Sequence, residues 1–257
     1  LFPYTTLFRS TRALKPLLDR IDRIRRSRDV PAVVAELHAA GAPVLFEFRV
    51  RRDERGEPYA ELAPGGLGLP HPSFYASQEP EVRALDLRYR TAVSEWLRLS
   101  GSAPKKLAEE SSFVVVMEGV LAKATQADAA PRRMPLAEAA KATGALGLED
   151  FLAAQGLKAT QVALADPGFF AAVNEQLAKA KPEQWKAYLR AHVVRSLAPA
   201  LPKGFRDPWT NVYEQLLAGR AEPMPRALWL RELLQAEAPE LLDAAYDERW
   251  LPNARRE

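Results

Sequence analysis

Cysteine is absent from this chain of 257 residues, which removes disulfides, thiol nucleophiles and cysteine-ligated zinc from consideration. Histidine is scarce: His38, His71 and His192 lie far apart, and none has a second histidine or a carboxylate at the spacing that zinc sites use. No apolar run approaches the roughly 20 residues a membrane span needs. Charge of one sign is not in large excess, since 36 Lys and Arg face 33 Asp and Glu for a net of +3. So small an imbalance is not the electrostatic footprint of a nucleic-acid binder. Repeats and low-complexity linkers are also missing, and with them any internal sign of a domain boundary.

What is present is a globular composition, 47% hydrophobic and 27% charged, enough apolar material for a sizeable core. Proline marks the starts of helical patterns at Pro31, Pro80, Pro104, Pro167 and Pro182, where a first-turn proline costs no hydrogen bond, and Asp166 stands ahead of Pro167 as an N-cap. Long helices are expected from about Pro80 to Leu99, from Pro104 to about Thr125, and from Pro225 to Trp250 with a break near Pro239. In PEQWKAYLRAHVVRSLAPA, residues Trp185, Tyr188, Leu189, His192, Val193, Ser196 and Leu197 recur at three- and four-residue steps, opposite Lys186, Arg190 and Arg195. That spacing describes an amphipathic helix. One place reads as β: VLFEFRV, residues 44–50, alternates apolar and charged side chains, and a turn at 53–56 leads into PYAEL. The fold class is therefore mainly α, a multi-helix lobe with one small β-hairpin near residues 44–62.

Several stretches invite a chemical reading. PGGLGLP at 64–70 is glycine-rich but is followed by Pro70 and Pro72 rather than a Gly-Lys-Ser/Thr and a helix, so it reads as a loop of close backbone approach, not a phosphate cradle. The arginines at 20, 23, 25, 26 and 28 alternate with Asp19, Asp22 and Asp29 around Leu18, Ile21 and Ile24, the pattern of a helix with a solvated charged face. Ser111 and Ser112 have no triad partners that sequence reveals. His192 lies on the apolar face of its helix and reads as a satisfied core histidine. No catalytic, cofactor-binding or metal-ligating residue is assigned anywhere in the chain.

Residues 1–10, LFPYTTLFRS, lack the basic start, continuous apolar run and cleavage site of a secretory signal. They are similar, residue for residue, to the in-frame translation of a sequencing-adapter oligonucleotide. The expectation is a non-native tail at 1–10 and native protein from Thr11 to Glu257, truncated at both ends.

The order of the remaining segments carries a resemblance. GGLGLPHPSFY resembles the Gly-Leu-Gly-Leu-Pro segment with its following aromatic pair in the neprilysin and endothelin-converting-enzyme family of zinc metallopeptidases. LKPLLDRID and LHAAGAPVLFEFRV resemble that family's lead-in. VVMEGVLAKAT, with Glu118, resembles its glutamate-bearing helix, and MPLAEA a short helix start. VALADPGFFAAV, QWKAYLRAHVVRSLAPALPKGF and AAYDERWLPNARRE follow in the family's order. His71 departs from the family, which usually has aspartate there. The resemblance implies the N-terminal, non-catalytic region of a bacterial peptidase, whose two helical lobes enclose a cavity that restricts substrates to short peptides. It implies zinc in the full-length parent, held by a His-Glu-x-x-His helix and a later glutamate, with no zinc bound by this segment, no activity of the segment alone, and a periplasmic or extracellular location. Peptide substrates would be reached through the missing catalytic half; no nucleic-acid partner is expected. A stand-alone helical interaction module, or a paralogue with a decayed catalytic half, is the alternative.

Overall fold

The computed structural model describes residues 12, 14–126, 128–237, 240 and 243; the tail at 1–10 and the expected break at Pro239 lie outside them. The chain divides into two compact units, one running to Val212 and one from Tyr213.

In the first unit, helices α1 (Lys15–Asp22) and α2 (Val30–Ala39) lead into a hairpin of β1 (Phe46–Arg52) and β2 (Pro58–Pro64). Helices α3 (Pro80–Leu99) and α4 (Leu107–Ala124) follow. Next come β3 (Arg132–Pro135), α5 (Leu136–Thr143), α6 (Leu148–Ala154) and β4 (Gln161–Leu164). The unit continues with α7 (Pro167–Lys179), α8 (Pro182–Leu197) and α9 (Lys203–Trp209). A π-helical segment, Thr210–Leu217, spans the boundary of the units, and the second unit contains α10 (Arg226–Glu237). The fold is mainly α with one small sheet, as the composition and periodicity predict.

Helix starts follow the proline positions closely. α3 occupies the expected residues, with Pro80 in its first turn and Arg98 near its C-terminus, where a cation meets the negative end of the helix dipole. α7 is capped by the Asp166 carboxylate, which accepts the Phe169 N–H at 3.2 Å. α4 starts at Leu107 rather than Pro104, because residues 103–106 form a turn of their own. α1 ends at Asp22, so Arg25, Arg26 and Arg28 sit beyond it; its buried positions are Leu17 and Ile21, flanked by buried Leu14 and Ile24. Asp29 accepts the N–H groups of Arg25 and Arg26, Glu36 pairs with Arg20 and Arg23, and Asp22 pairs with Arg190 at 2.7 Å.

The sheet is larger than the hairpin expected from the sequence. Its order is β1-β2-β4-β3: β1 and β2 are antiparallel, β2 and β4 parallel, and β4 and β3 antiparallel. The two additional strands are four residues each, too short to show a period of two. Val162, Ala163 and Leu164 are all buried, so β4 has no alternation to display. Tertiary pairing with β2, about 100 positions earlier in the chain, is what makes it a strand.

The core lies between the sheet and the helices. Phe46 and Phe48 turn one face of β1 toward Phe151 of α6, with ring centroids 5.0 and 5.2 Å away. α8 is central: Trp185, Ala187, Tyr188, Leu189, Ala191, His192, Val193 and Val194 are all buried. The single apolar face expected of it widens because α4, α3 and α1 all pack against it.

Candidate functional site

The opposite face of β1 and β2 carries Glu47, Arg49 and Glu61. Together with the loop after β2 and the C-terminal half of α8, it walls a cavity of about 750 Å³. The cavity's carboxylates are balanced locally, Glu47 by Arg49 at 2.6 Å and Glu61 by Arg51 at 3.3 Å. His192 and Arg195 of α8 form part of the wall facing the loop.

The loop itself, Gly-Gly-Leu-Gly-Leu-Pro at 65–70, is held by tyrosine hydroxyls from two different elements and pressed against a tyrosine of a third. Tyr75, in a short 3₁₀ turn, accepts the N–H groups of Gly68 and Leu69 at 2.9 Å each. Tyr188 of α8 donates to the Gly66 carbonyl at 2.7 Å. A side chain at Gly68 would come within 1.8 Å of the Tyr89 hydroxyl, and one at Gly66 within 2.2 Å of the Tyr188 hydroxyl, with Gly66 also at φ +67°. Glycine here serves close approach of backbone to side chain, as the sequence suggests.

Beneath the loop the hydroxyls converge on Glu118 of α4, which is fully buried. Tyr75 donates to Oε2 at 2.8 Å, and Tyr89 of α3 donates to Oε1 at 2.5 Å. His192 Nε2 lies 2.9 Å from the same Oε1, although off the line of a well-aligned hydrogen bond. A buried carboxylate is tolerable only when its lone pairs are met in this way. Burial and the neighbouring Glu118 push the Tyr75 hydroxyl far above its ordinary pKa, and burial acts first on Tyr188 as well. Both phenols therefore remain donors. Burial holds the His192 ring below the ordinary histidine pKa against the opposing attraction of Glu118, and Arg195, whose Nη2 is 3.5 Å from Nδ1, also disfavours the imidazolium. His192 is thus a core histidine, as its position suggests, but one whose Nε2 touches Glu118 without a well-aligned hydrogen bond. Arg195, expected on the solvent face, is instead half-buried at the cavity wall.

His71 opens the 3₁₀ turn that carries Tyr75, and its Nδ1 accepts the Ser73 N–H at 3.2 Å. This is the capping work an aspartate does at a helix start, so the departure from the family residue retains the acceptor. His38 lies elsewhere, half-buried and stacked on Phe46, with its Nε2 within 2.8 Å of the Val44 carbonyl oxygen. Ser111 donates to the Ala108 carbonyl within α4. The tyrosine convergence was not assigned from sequence. The clue to it was Gly66 and Gly68 followed by Tyr75, but Tyr89 and Tyr188 arrive from distant helices and leave no local trace.

The residues present do not fit a zinc ion: among the described residues no three His, Cys, Asp or Glu side chains are grouped as metal ligands. The histidine–glutamate pair at 192 and 118 has only tyrosine hydroxyls for company. Nor is any described helix long and apolar enough to cross a membrane.

With this geometry in hand, the comparisons with known proteins identify a class of fold and then a family. The chain superposes on a Mycobacterium tuberculosis zinc metalloprotease, Zmp1, in complex with an inhibitor, with a TM-score of 0.80 and 20% identity over 94% of this chain and 38% of that one. The open state of Zmp1 gives a TM-score of 0.82 at 20% identity, over 99% and 41%. PepO from Lactobacillus rhamnosis gives 0.73 at 15% identity, over 92% and 39%. The chain thus spans about two fifths of the length of these structures. No match is found among curated proteins. The model of peptidase family M13, in its N-terminal part, matches residues 8–257. The chain belongs to peptidase family M13, and the neprilysin-like resemblance read from its segments is correct.

Proposed function

We propose that this chain is the N-terminal helical lobe of a bacterial neprilysin-like zinc metallopeptidase, and that in the full-length parent it encloses the substrate cavity and limits entry to short peptides. The observation that carries this reading is the family match over residues 8–257, combined with a span of only about two fifths of the structural relatives' length. Zinc and the base that activates its water are placed in the rest of the parent by the resemblance, which puts the His-Glu-x-x-His helix and the later glutamate outside this segment. In the parent, the ion would act as a Lewis acid toward the peptide carbonyl and lower the pKa of bound water. This lobe contributes shape: the cavity wall of β1, β2 and the loop at 65–70, braced from below by Glu118. A periplasmic or extracellular site of action is part of the same proposal and rests on the family resemblance alone.

The experiment is direct. The purified 257-residue protein should retain no stoichiometric zinc and should not hydrolyse peptides, whereas the product of the complete reading frame should do both. Chelator-sensitive hydrolysis by the 257-residue protein would overturn the division of labour. A complete reading frame without a His-Glu-x-x-His helix would replace the enzyme by the decayed paralogue or the stand-alone module.

A further inference from the structure

The loop at 65–70 is backbone held by side chains, and each holding side chain touches one ionisable ring or the carboxylate beside it. Tyr188, which fixes the Gly66 carbonyl, packs its ring 4.4 Å from the His192 ring. Tyr75, which fixes the N–H groups of Gly68 and Leu69, donates to Glu118. The other oxygen of Glu118 is shared between Tyr89 and His192. His192 and the loop line the same cavity.

We propose that His192 is a proton-operated latch on the glycine loop: the neutral ring keeps the three tyrosines and Glu118 in register beneath residues 66–69, and its protonation releases the loop and the cavity wall it forms. The inference does not depend on the peptidase reading, because every group involved lies in this chain.

The geometry gives the direction. In the closed arrangement Nε2 faces Glu118, and Nδ1 faces the guanidinium of Arg195. A second ring proton has to sit on Nδ1, where it would point a donor at a donor and place two cations side by side in a buried site. From the other packed elements, α4 presents Glu118, α3 presents Tyr89, the 3₁₀ turn presents Tyr75, and α1 presents Asp22, which Arg190 engages on the exposed side of α8. Across the cavity stand Glu47, Arg49, Glu61 and His71. Glu118 is the one carboxylate in contact with the ring among these groups, and its attraction is outweighed by burial. The ring therefore takes its proton most readily when the site opens and water enters. The loop is the part that gives, because Tyr75 and Tyr188 hold its backbone through hydroxyl hydrogen bonds that end on the Glu118–His192 site, whereas α3, α4 and α8 are long helices packed on one another.

Amide hydrogen exchange in the 257-residue protein tests this. In the open form the ring has the ordinary histidine value near 6.5, so below that pH the opening equilibrium should rise about tenfold per pH unit until the closed form itself titrates. The expected result is that protection of the Gly68 and Leu69 amides, corrected for intrinsic exchange rates, falls about tenfold per unit between pH 6.5 and 5. Amides in the middle of α3 should fall less steeply. In His192→Gln the loop slope should vanish, and in His38→Gln it should persist. Loop amides that follow α3 in parallel, or an unchanged slope in His192→Gln, would overturn the latch. Should His192→Gln fail to fold, the wild-type ring resonance decides: a His192 titration that leaves the Gly68 and Leu69 amide shifts unmoved refutes the proposal, and a shared midpoint supports it.

Discussion

Glu118 is the residue on which most of the polar interior depends. It is buried and accepts from two tyrosines while touching a histidine, so replacing it by alanine leaves two tyrosine hydroxyls without their acceptor and the buried histidine without its neighbouring carboxylate. Each orphaned buried donor costs about 1–3 kcal/mol. Glu118→Ala should therefore destabilise the protein by about 3–5 kcal/mol in urea denaturation, enough to unfold many domains. Glu118→Gln, which keeps the shape and one carbonyl acceptor, should cost clearly less. Equal losses in the two variants would mean that packing, not hydrogen bonding, sets the role of this position.

Among the elements, the glycines separate two uses of the same residue. At Gly68 an added methyl group meets the Tyr89 ring and hydroxyl, and at Gly66 it also meets the Leu45 backbone at 2.7 Å. Overpacking of this kind costs typically about 1–3 kcal/mol, and the left-handed conformation of Gly66 adds to it. Gly119, in the interior of α4, has nothing within 4 Å of the position a Cβ would take. Alanine there should stabilise by about 0.5–1 kcal/mol, because glycine is the poorer helix former. Thermal melts of Gly66→Ala, Gly68→Ala and Gly119→Ala should thus move in opposite directions. A neutral Gly68→Ala would show that the loop does not press on Tyr89 in solution.

For the whole molecule, pH is the informative variable. His38 and His192 are both held below the ordinary histidine value, in each case first by burial. A depressed histidine contributes stability that is present above the unfolded value of about 6.5 and is lost as pH falls through the folded value. Between pH 7 and 5 the stability should accordingly fall, by at most about 1.4 kcal/mol per pH unit for each histidine. Asp29, Asp53 and Glu95 have lowered values, but they start from the carboxylate range and act below this window. Denaturation midpoints measured across the range, in the wild type and in His38→Gln/His192→Gln, check the assignment: the double variant should show a flattened profile, and an unchanged slope would point to other groups.

Read from the residues alone, much of this protein was already determined. Proline positions and three-to-four-residue spacing placed α3, α7 and α8, because a first-turn proline and an apolar stripe act locally. The alternation at 44–50 placed the hairpin for the same reason, and the ordered segments identified the family. Tertiary structure decided the rest. β3 and β4 are strands only because β2 offers β4 an edge to pair with, and four residues carry no period of their own. Tyr75, Tyr89, Tyr188 and His192 form one site with Glu118 only because α3, α4 and α8 pack together, bringing residues as far apart in sequence as Glu118 and His192 into contact. Hydrogen bonds between such distant side chains depend on where the helices pack, which no local pattern records.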